Sequence, residues 1–278
     1  MGIRDYLDLI RVKNCLIASL GAAIAGLIAS NFNIHMLDRI LLASLVVFLI
    51  CGFGNVINDI YDVDIDRINK PHRPLPSGRV SLKGAKVLAW ILAISGLLLS
   101  LFNWLCFIMA LLNTLILYLY ARLFKRDKRI GNLLVAYLTG SVFLFGGASV
   151  GNILITFILF LCAMLTTWAR EIVKDFEDME GDRKRGVISL PIRYGKGALY
   201  LALGLLTLAV ILSPLPYLMG IFNYLYLPGI VLCDVLLLYS IVKLLRNPTR
   251  EEAERCAREI KMIISLILIA FIVGAISG

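Results

Sequence analysis

Apolar runs close to the length that crosses a bilayer recur along the whole chain, and short stretches between them gather most of the charge. Cutting the runs at charges, Pro and Gly predicts nine spans: 14–33, 38–58, 86–103, 105–122, 131–150, 152–172, 196–217, 224–245 and 259–277. Within hydrocarbon each backbone N–H and C=O must be satisfied inside its own segment, so continuous runs of this kind predict helices. Barrel strands would alternate instead. The charged start MGIRDYLDLIRVKN leads into a long run without a small-residue cleavage site, which reads as a first span and not as a signal peptide. The expected fold is therefore all-α, a single polytopic membrane domain over 1–278.

Composition agrees, with 60% hydrophobic residues and a mean hydropathy of +0.87. The net charge of +9 is a topological signal. Every Lys and Arg except Arg39 lies in the N-terminal segment or around the loops after spans two, four, six and eight. Positive-inside asymmetry then puts the N-terminus and those loops in the cytoplasm and the C-terminus outside. No soluble basic face is left over for nucleic acid. The six cysteines are scattered singly and the two histidines stand far apart, so neither a disulfide framework nor a Cys/His metal site is expected.

The acids carry the chemistry. In NVINDIYDVDIDRINK, Asn55, Asp59, Asp62 and Asp66 follow i, i+4, i+7, i+11 and fall within roughly 60° on a helix, with Asn58 beside them and Asp64 opposite. In WAREIVKDFEDMEGDRKRG the same spacing joins Glu171, Asp175, Asp178 and Asp182. Both stripes sit at cytoplasmic helix C-termini, where like charges at i, i+4 repel and the helix dipole disfavours acids. A positive partner is therefore expected. Carboxylates are hard ligands, and Mg²⁺ combines a few of them with waters and substrate phosphates. Two such stripes suit a diphosphate, whose greasy tail would lie among the spans.

NDIYDVDID resembles the NDxxDxxxD signature of the UbiA superfamily of intramembrane prenyltransferases. KDFEDMEGD is similar to that superfamily's second aspartate motif, and YARLFK (Tyr120–Lys125) to its YSxxxK element, with Ala121 in place of serine. The resemblance implies nine helices around a central cavity, capped by helical cytoplasmic loops. It further implies an allylic prenyl diphosphate held through Mg²⁺ by Asp59, Asp62, Asp66, Asp175, Asp178 and Asp182. Asn14, Asn55, Asn58, Arg67, Arg73, Tyr120, Lys125 and Lys174 are the expected substrate contacts. Asn14 has a second reading as the N-cap of the first span.

Within the superfamily, INKPHRPLPSGRVS and REIVKDFEDMEGD look most like the archaeal branch that moves a geranylgeranyl group from its diphosphate to a lipid-like phosphorylated acceptor, geranylgeranylglyceryl phosphate. An aromatic acceptor such as 4-hydroxybenzoate or a naphthoate is the alternative. Loss of diphosphate would leave an allylic cation that aromatic faces stabilise, with Tyr118, Tyr120 and Tyr137 as sources. No protein nucleophile and no obligate protein partner is expected, and membrane lipids surround the chain. A cation transporter is the rival from another class, but its acids would more often sit near mid-membrane. Asp234 inside span eight is a functional candidate or a link to a neighbouring helix. Gly52 and Gly54 suggest close helix packing, and Ser81 the N-cap of span three. Both halves of the chain end their second helix in an acidic stripe, a hint of a parallel repeat.

Overall fold

The structure, a computed structural model, describes residues 2–276. Among them no strand forms and most residues are helical: α1 (Ile3–Ile10), α2 (Val12–Ala29), α3 (Leu37–Asn69), α4 (Leu82–Ser100), α5 (Trp104–Leu119), α6 (Lys128–Ser149), α7 (Ile153–Glu177), α8 (Met179–Lys184), α9 (Leu190–Tyr194), α10 (Gly197–Leu212), α11 (Leu215–Leu218), α12 (Tyr226–Arg246) and α13 (Arg250–Ile276). Eight of the described helices are long and apolar enough to cross a membrane. The expected ninth span, 259–277, lies along α13, which is not among those eight, and its last residue falls outside the described residues.

The chain divides into two compact units, Met1–Lys125 with Leu144–Ile153, and Arg126–Phe143 with Leu154–Gly278. Each contains one acidic stripe. In the first, α3 packs on α2, α4 and α5, around a core that includes Leu9, Cys15, Phe53, Val56, Val80 and Leu92. In the second, α12 packs on α10 and α13, and Ile172, Leu199, Leu206, Leu237, Ile241 and Ile260 fill the core. A Cβ on Gly54 would meet Leu117 Cδ2 at 2.6 Å, so this glycine makes room for the leucine side chain, and one on Gly146 would meet the Ala22 carbonyl at 2.2 Å, so that glycine lets the two backbones approach.

Helix length delivers the stripes to the membrane surface. At 1.5 Å per residue α3 is about 50 Å long, against a hydrocarbon thickness of about 30 Å. It is therefore about four turns longer than the apolar layer is thick, and its last four turns hold Asn58, Asp59, Asp62 and Asp66. Several boundaries differ from expectation, α3 running past 58 to Asn69 and α13 starting at Arg250, before 259. The N-terminal segment is helical before the first span, and Arg11 breaks the chain between α1 and α2 with φ 57°. Arg11 thus occupies the N-cap position of α2, and Asn14 lies within the helix. The run 196–217 divides at Pro214 into α10 and α11, since Pro offers no N–H to continue a helix. Ser81 caps α4 as expected, its Oγ accepting from Gly84 N at 3.0 Å. All six cysteines are free.

Candidate active site

Five motif aspartates are buried, Asp59, Asp62, Asp66, Asp175 and Asp182, each between 3% and 8% exposed. A buried carboxylate is costly unless it is paired. In the first unit the pairing is complete. Asp59 Oδ1 accepts from Arg11 Nη2 at 2.5 Å and Arg73 Nη1 at 3.2 Å, and Arg73 Nη1 also reaches Asp66 Oδ2 at 2.6 Å. Asp62 pairs with the Lys125 ammonium, which donates to Asn58 Oδ1 at 2.9 Å as well. Asn58 Nδ2 completes the group by donating to Asp62 Oδ2 at 3.4 Å.

Local sequence explains how three distant cations reach one helix. Arg11 gets there through its left-handed backbone, a conformation that costs a non-glycine residue about 1 kcal/mol and collects at functional sites. Arg73 lies in the stretch KPHRPLPSGR, where three prolines restrict the backbone and buried Leu75 and Val80 anchor the loop in the core. The loop is tied to α1 by Arg79, which donates to Asp5 Oδ1 at 2.8 Å and to the His72 carbonyl at 2.7 Å. The Gly2 backbone N–H, and after it Arg79, hold the Asp5 carboxyl below its ordinary pKa. Lys125 follows Tyr120–Phe124, a single π-helical stretch that ends α5. Such bulges are frequent at functional sites. The Ala121 that replaces serine is buried there.

The second unit repeats the pattern with different residues. Lys128 Nζ bridges Asp175 Oδ1 at 2.9 Å and Asp182 Oδ2 at 2.6 Å, and Asn132 Nδ2 donates to Asp175 Oδ2 at 2.7 Å. Lys128 is held in place by backbone pairing. Its N–H donates to the Ile188 carbonyl at 2.8 Å, and Ile188 N donates to the Arg126 carbonyl at 2.9 Å. Beside it, Arg129 clasps Asp127 at 2.9 and 2.6 Å and keeps that carboxyl's pKa low. Asp178, half-buried between α7 and α8, makes no ion pair among the described residues.

In each motif, therefore, one cation joins the first and last aspartates, seven residues apart. The sequence alone suggested Arg73 and Lys125. It missed Arg11, Lys128 and Asn132, whose partners lie 48, 47 and 43 residues away in the chain and which stand in no motif; Lys125, 63 residues from Asp62, was marked by its place in YARLFK. The amphipathic pattern Ile3, Tyr6, Leu7, Ile10 was the available signal for α1, the helix that ends just before Arg11.

Two other expected contacts, Arg67 and Asn55, bond away from the aspartates. Arg67 pairs with exposed Asp64 at 3.0 Å, away from the stripe. Asn55 donates to the Ile10 carbonyl at 2.8 Å, so it secures the end of α1. Asn14 and Lys174 are exposed, Tyr120 is half-buried, and Glu171 pairs with Arg170 at 2.6 Å. Asp234 accepts from Ser213 Oγ at 2.6 Å, which makes it a link between helices in the second unit. Tyr118 packs edge-on against Tyr61 and accepts from Arg122, while Tyr137 packs edge-on against Phe160.

The donor set fits Mg²⁺ in kind, since every candidate ligand is a hard carboxylate oxygen. Among the described residues no three acidic, His or Cys side chains converge closely enough to hold an ion unaided. That also suits Mg²⁺, which takes one or two carboxylates and fills its shell with water and substrate phosphate.

Membrane helices that end in two cation-laced aspartate motifs define a membrane enzyme for phosphorylated, lipid-like substrates. The chain belongs to the UbiA prenyltransferase family, whose pattern matches residues 19–267. It is 57% identical over 274 residues to the digeranylgeranylglyceryl phosphate synthase of Methanococcus aeolicus, covering 99% of this chain and 98% of that one. The synthase of that name from Methanocaldococcus jannaschii is 56% identical over 275 residues, with 99% and 97% covered. A solved structure of a digeranylgeranylglyceryl phosphate synthase superposes with a TM-score of 0.91 at 56% identity over 99% of both chains. A UbiA homologue from Archaeoglobus fulgidus, solved with DMAPP and Mg²⁺, shares the fold with a TM-score of 0.66 at 22% identity.

Proposed function

We propose that this prenyltransferase moves the geranylgeranyl group of geranylgeranyl diphosphate to the free hydroxyl of geranylgeranylglyceryl phosphate, making the second ether bond of an archaeal membrane lipid. The observation that carries this reading is end-to-end identity above half with digeranylgeranylglyceryl phosphate synthases. It favours the glyceryl phosphate over the aromatic acceptor.

Asp59, Asp62, Asp66, Asp175, Asp178 and Asp182 are the residues that would hold Mg²⁺. When bound, Mg²⁺ supplies Lewis-acid neutralisation of the diphosphate leaving group. Arg11, Arg73 and Lys125 share that work as charge-assisted donors to phosphate oxygens. The C1–O bond to diphosphate breaks and the pair of electrons leaves with the diphosphate. The acceptor oxygen then bonds to C1, and its proton passes to the released diphosphate or to a motif carboxylate. The reaction uses one integral membrane domain with its N-terminus and both aspartate motifs at the cytoplasmic face and its C-terminus outside.

A transfer assay tests the reading: purified protein, radiolabelled geranylgeranyl diphosphate and Mg²⁺, with geranylgeranylglyceryl phosphate and 4-hydroxybenzoate in separate reactions. Labelled product with the glyceryl phosphate alone is expected. Product with the aromatic acid alone would overturn the acceptor and leave the prenyl transfer standing.

A further inference from the structure

We infer that Lys128 is an internal competitor for the cation site of the second aspartate motif, a positioning residue that sets how readily a divalent metal binds there. The inference rests on the reading of Asp175 and Asp182 as metal ligands. Its own ground is the geometry of one ammonium. Lys128 Nζ stands 2.9 Å from Asp175 Oδ1 and 2.6 Å from Asp182 Oδ2, with both carboxylates buried and the lysine side chain 24% exposed. Those contacts are at full hydrogen-bond length, so the ammonium takes up one oxygen of each carboxylate. Asn132 takes the other Asp175 oxygen.

The placement has a cost that needs its own explanation. Lys128 is the first residue of α6, and a cation at a helix N-terminus opposes the macrodipole. It is nonetheless fixed on both sides of the backbone by Ile188. A side chain held there against the dipole gains only through the two carboxylates it joins. A divalent cation that approaches the same oxygens must displace the ammonium, and the displaced ammonium remains within reach of any phosphate that arrives with the metal. Lys128 thereby makes metal binding weak alone and stronger with diphosphate.

The test is titration of Mn²⁺ into detergent-purified protein, with free Mn²⁺ read by electron paramagnetic resonance, with and without inorganic diphosphate. Lys128→Met is expected to bind Mn²⁺ about tenfold more tightly without diphosphate, equivalent to ~1.4 kcal/mol, and to lose most of the gain that diphosphate gives the parent. Lys128→Arg, which keeps the charge, is expected to bind as the parent does. Damage to the fold would weaken binding, so tighter binding is a signature that a merely structural role does not produce. Binding by Lys128→Met that is unchanged or weaker overturns the inference, as does tighter binding by Lys128→Arg. Asp175→Asn separates the two readings: lost Mn²⁺ binding supports the metal assignment, and unchanged binding overturns it whatever the lysine variants do.

Discussion

At the scale of the residue, the motif aspartates differ in what else depends on them. Asp178 has no ion pair among the described residues, so Asp178→Ala should leave thermal stability unchanged and lower kcat/KM by at least about tenfold, the scale of a lost metal-site interaction. Transfer activity within a factor of two of the parent would remove Asp178 from the site. Asp62→Ala frees Lys125, whose side chain is 31% exposed and can turn to water, so the same loss of turnover with a monodisperse protein is expected. Arg11 poses a different question because two of its effects oppose each other. Arg11→Gly relieves a left-handed backbone, worth about 1 kcal/mol, and removes one of two partners of Asp59. The melting temperature should therefore move little. The KM for the prenyl diphosphate should rise about tenfold if the guanidinium also meets phosphate, since a charge-assisted bond is worth ~1.5 kcal/mol or more. A KM that stays put would confine Arg11 to holding Asp59. The carboxylates themselves were legible because helical spacing is a local property of the sequence. Their cations were legible where they followed within a loop, as Arg73 does, or stood in a motif, as Lys125 does, and invisible where the fold alone brings them from another element, as with Arg11 and Lys128.

Elements show the same division. Hydropathy located the apolar part of each long helix, because a run that must shed water on every side marks itself, but not the polar turns by which α3 runs on to Asn69 and α13 starts at Arg250. It did not show that α1 and α2 break at Arg11 or that α7 yields to α8 at Asp178, since neither break involves Pro or Gly. Packing between helices was suggested by glycine, and the structure separates the glycines that matter from those that do not. Gly146→Ala would set a methyl 2.2 Å from the Ala22 carbonyl and 2.8 Å from Ala25 Cβ, against backbone that cannot rotate away. Overpacking of this kind costs about 1–3 kcal/mol, more than the ~1 kcal/mol that alanine gains over glycine in a helix. Gly204→Ala, in α10 with open space around it, gains the propensity alone. Thermal melts in detergent should thus shift in opposite directions, downward for Gly146→Ala and upward for Gly204→Ala. A stable Gly146→Ala protein would mean that α2 and the end of α6 do not pack as described.

For the whole molecule, the distribution of charge makes a claim that neither unit makes alone. Moving Lys and Arg across a membrane is expensive, and the two aspartate motifs lie among nearly all of the chain's basic residues. If the motifs open to the cytoplasm, substrates and metal are drawn from that side, and the turn between α2 and α3 faces out. His35 and Ser77 are exposed residues on the two predicted sides, His35 in the turn before α3 and Ser77 in the proline-rich loop after it. In a cysteine-free background, His35→Cys should react with a membrane-impermeant maleimide on intact cells. Ser77→Cys should react only after the membrane is opened. The α3 helix between them is long enough to cross once and not twice, so the two sites must label from opposite faces. The reverse pattern would place the aspartate motifs outside, where the cytoplasmic pool of prenyl diphosphate cannot reach them, and would overturn the proposed orientation together with the route by which substrate enters.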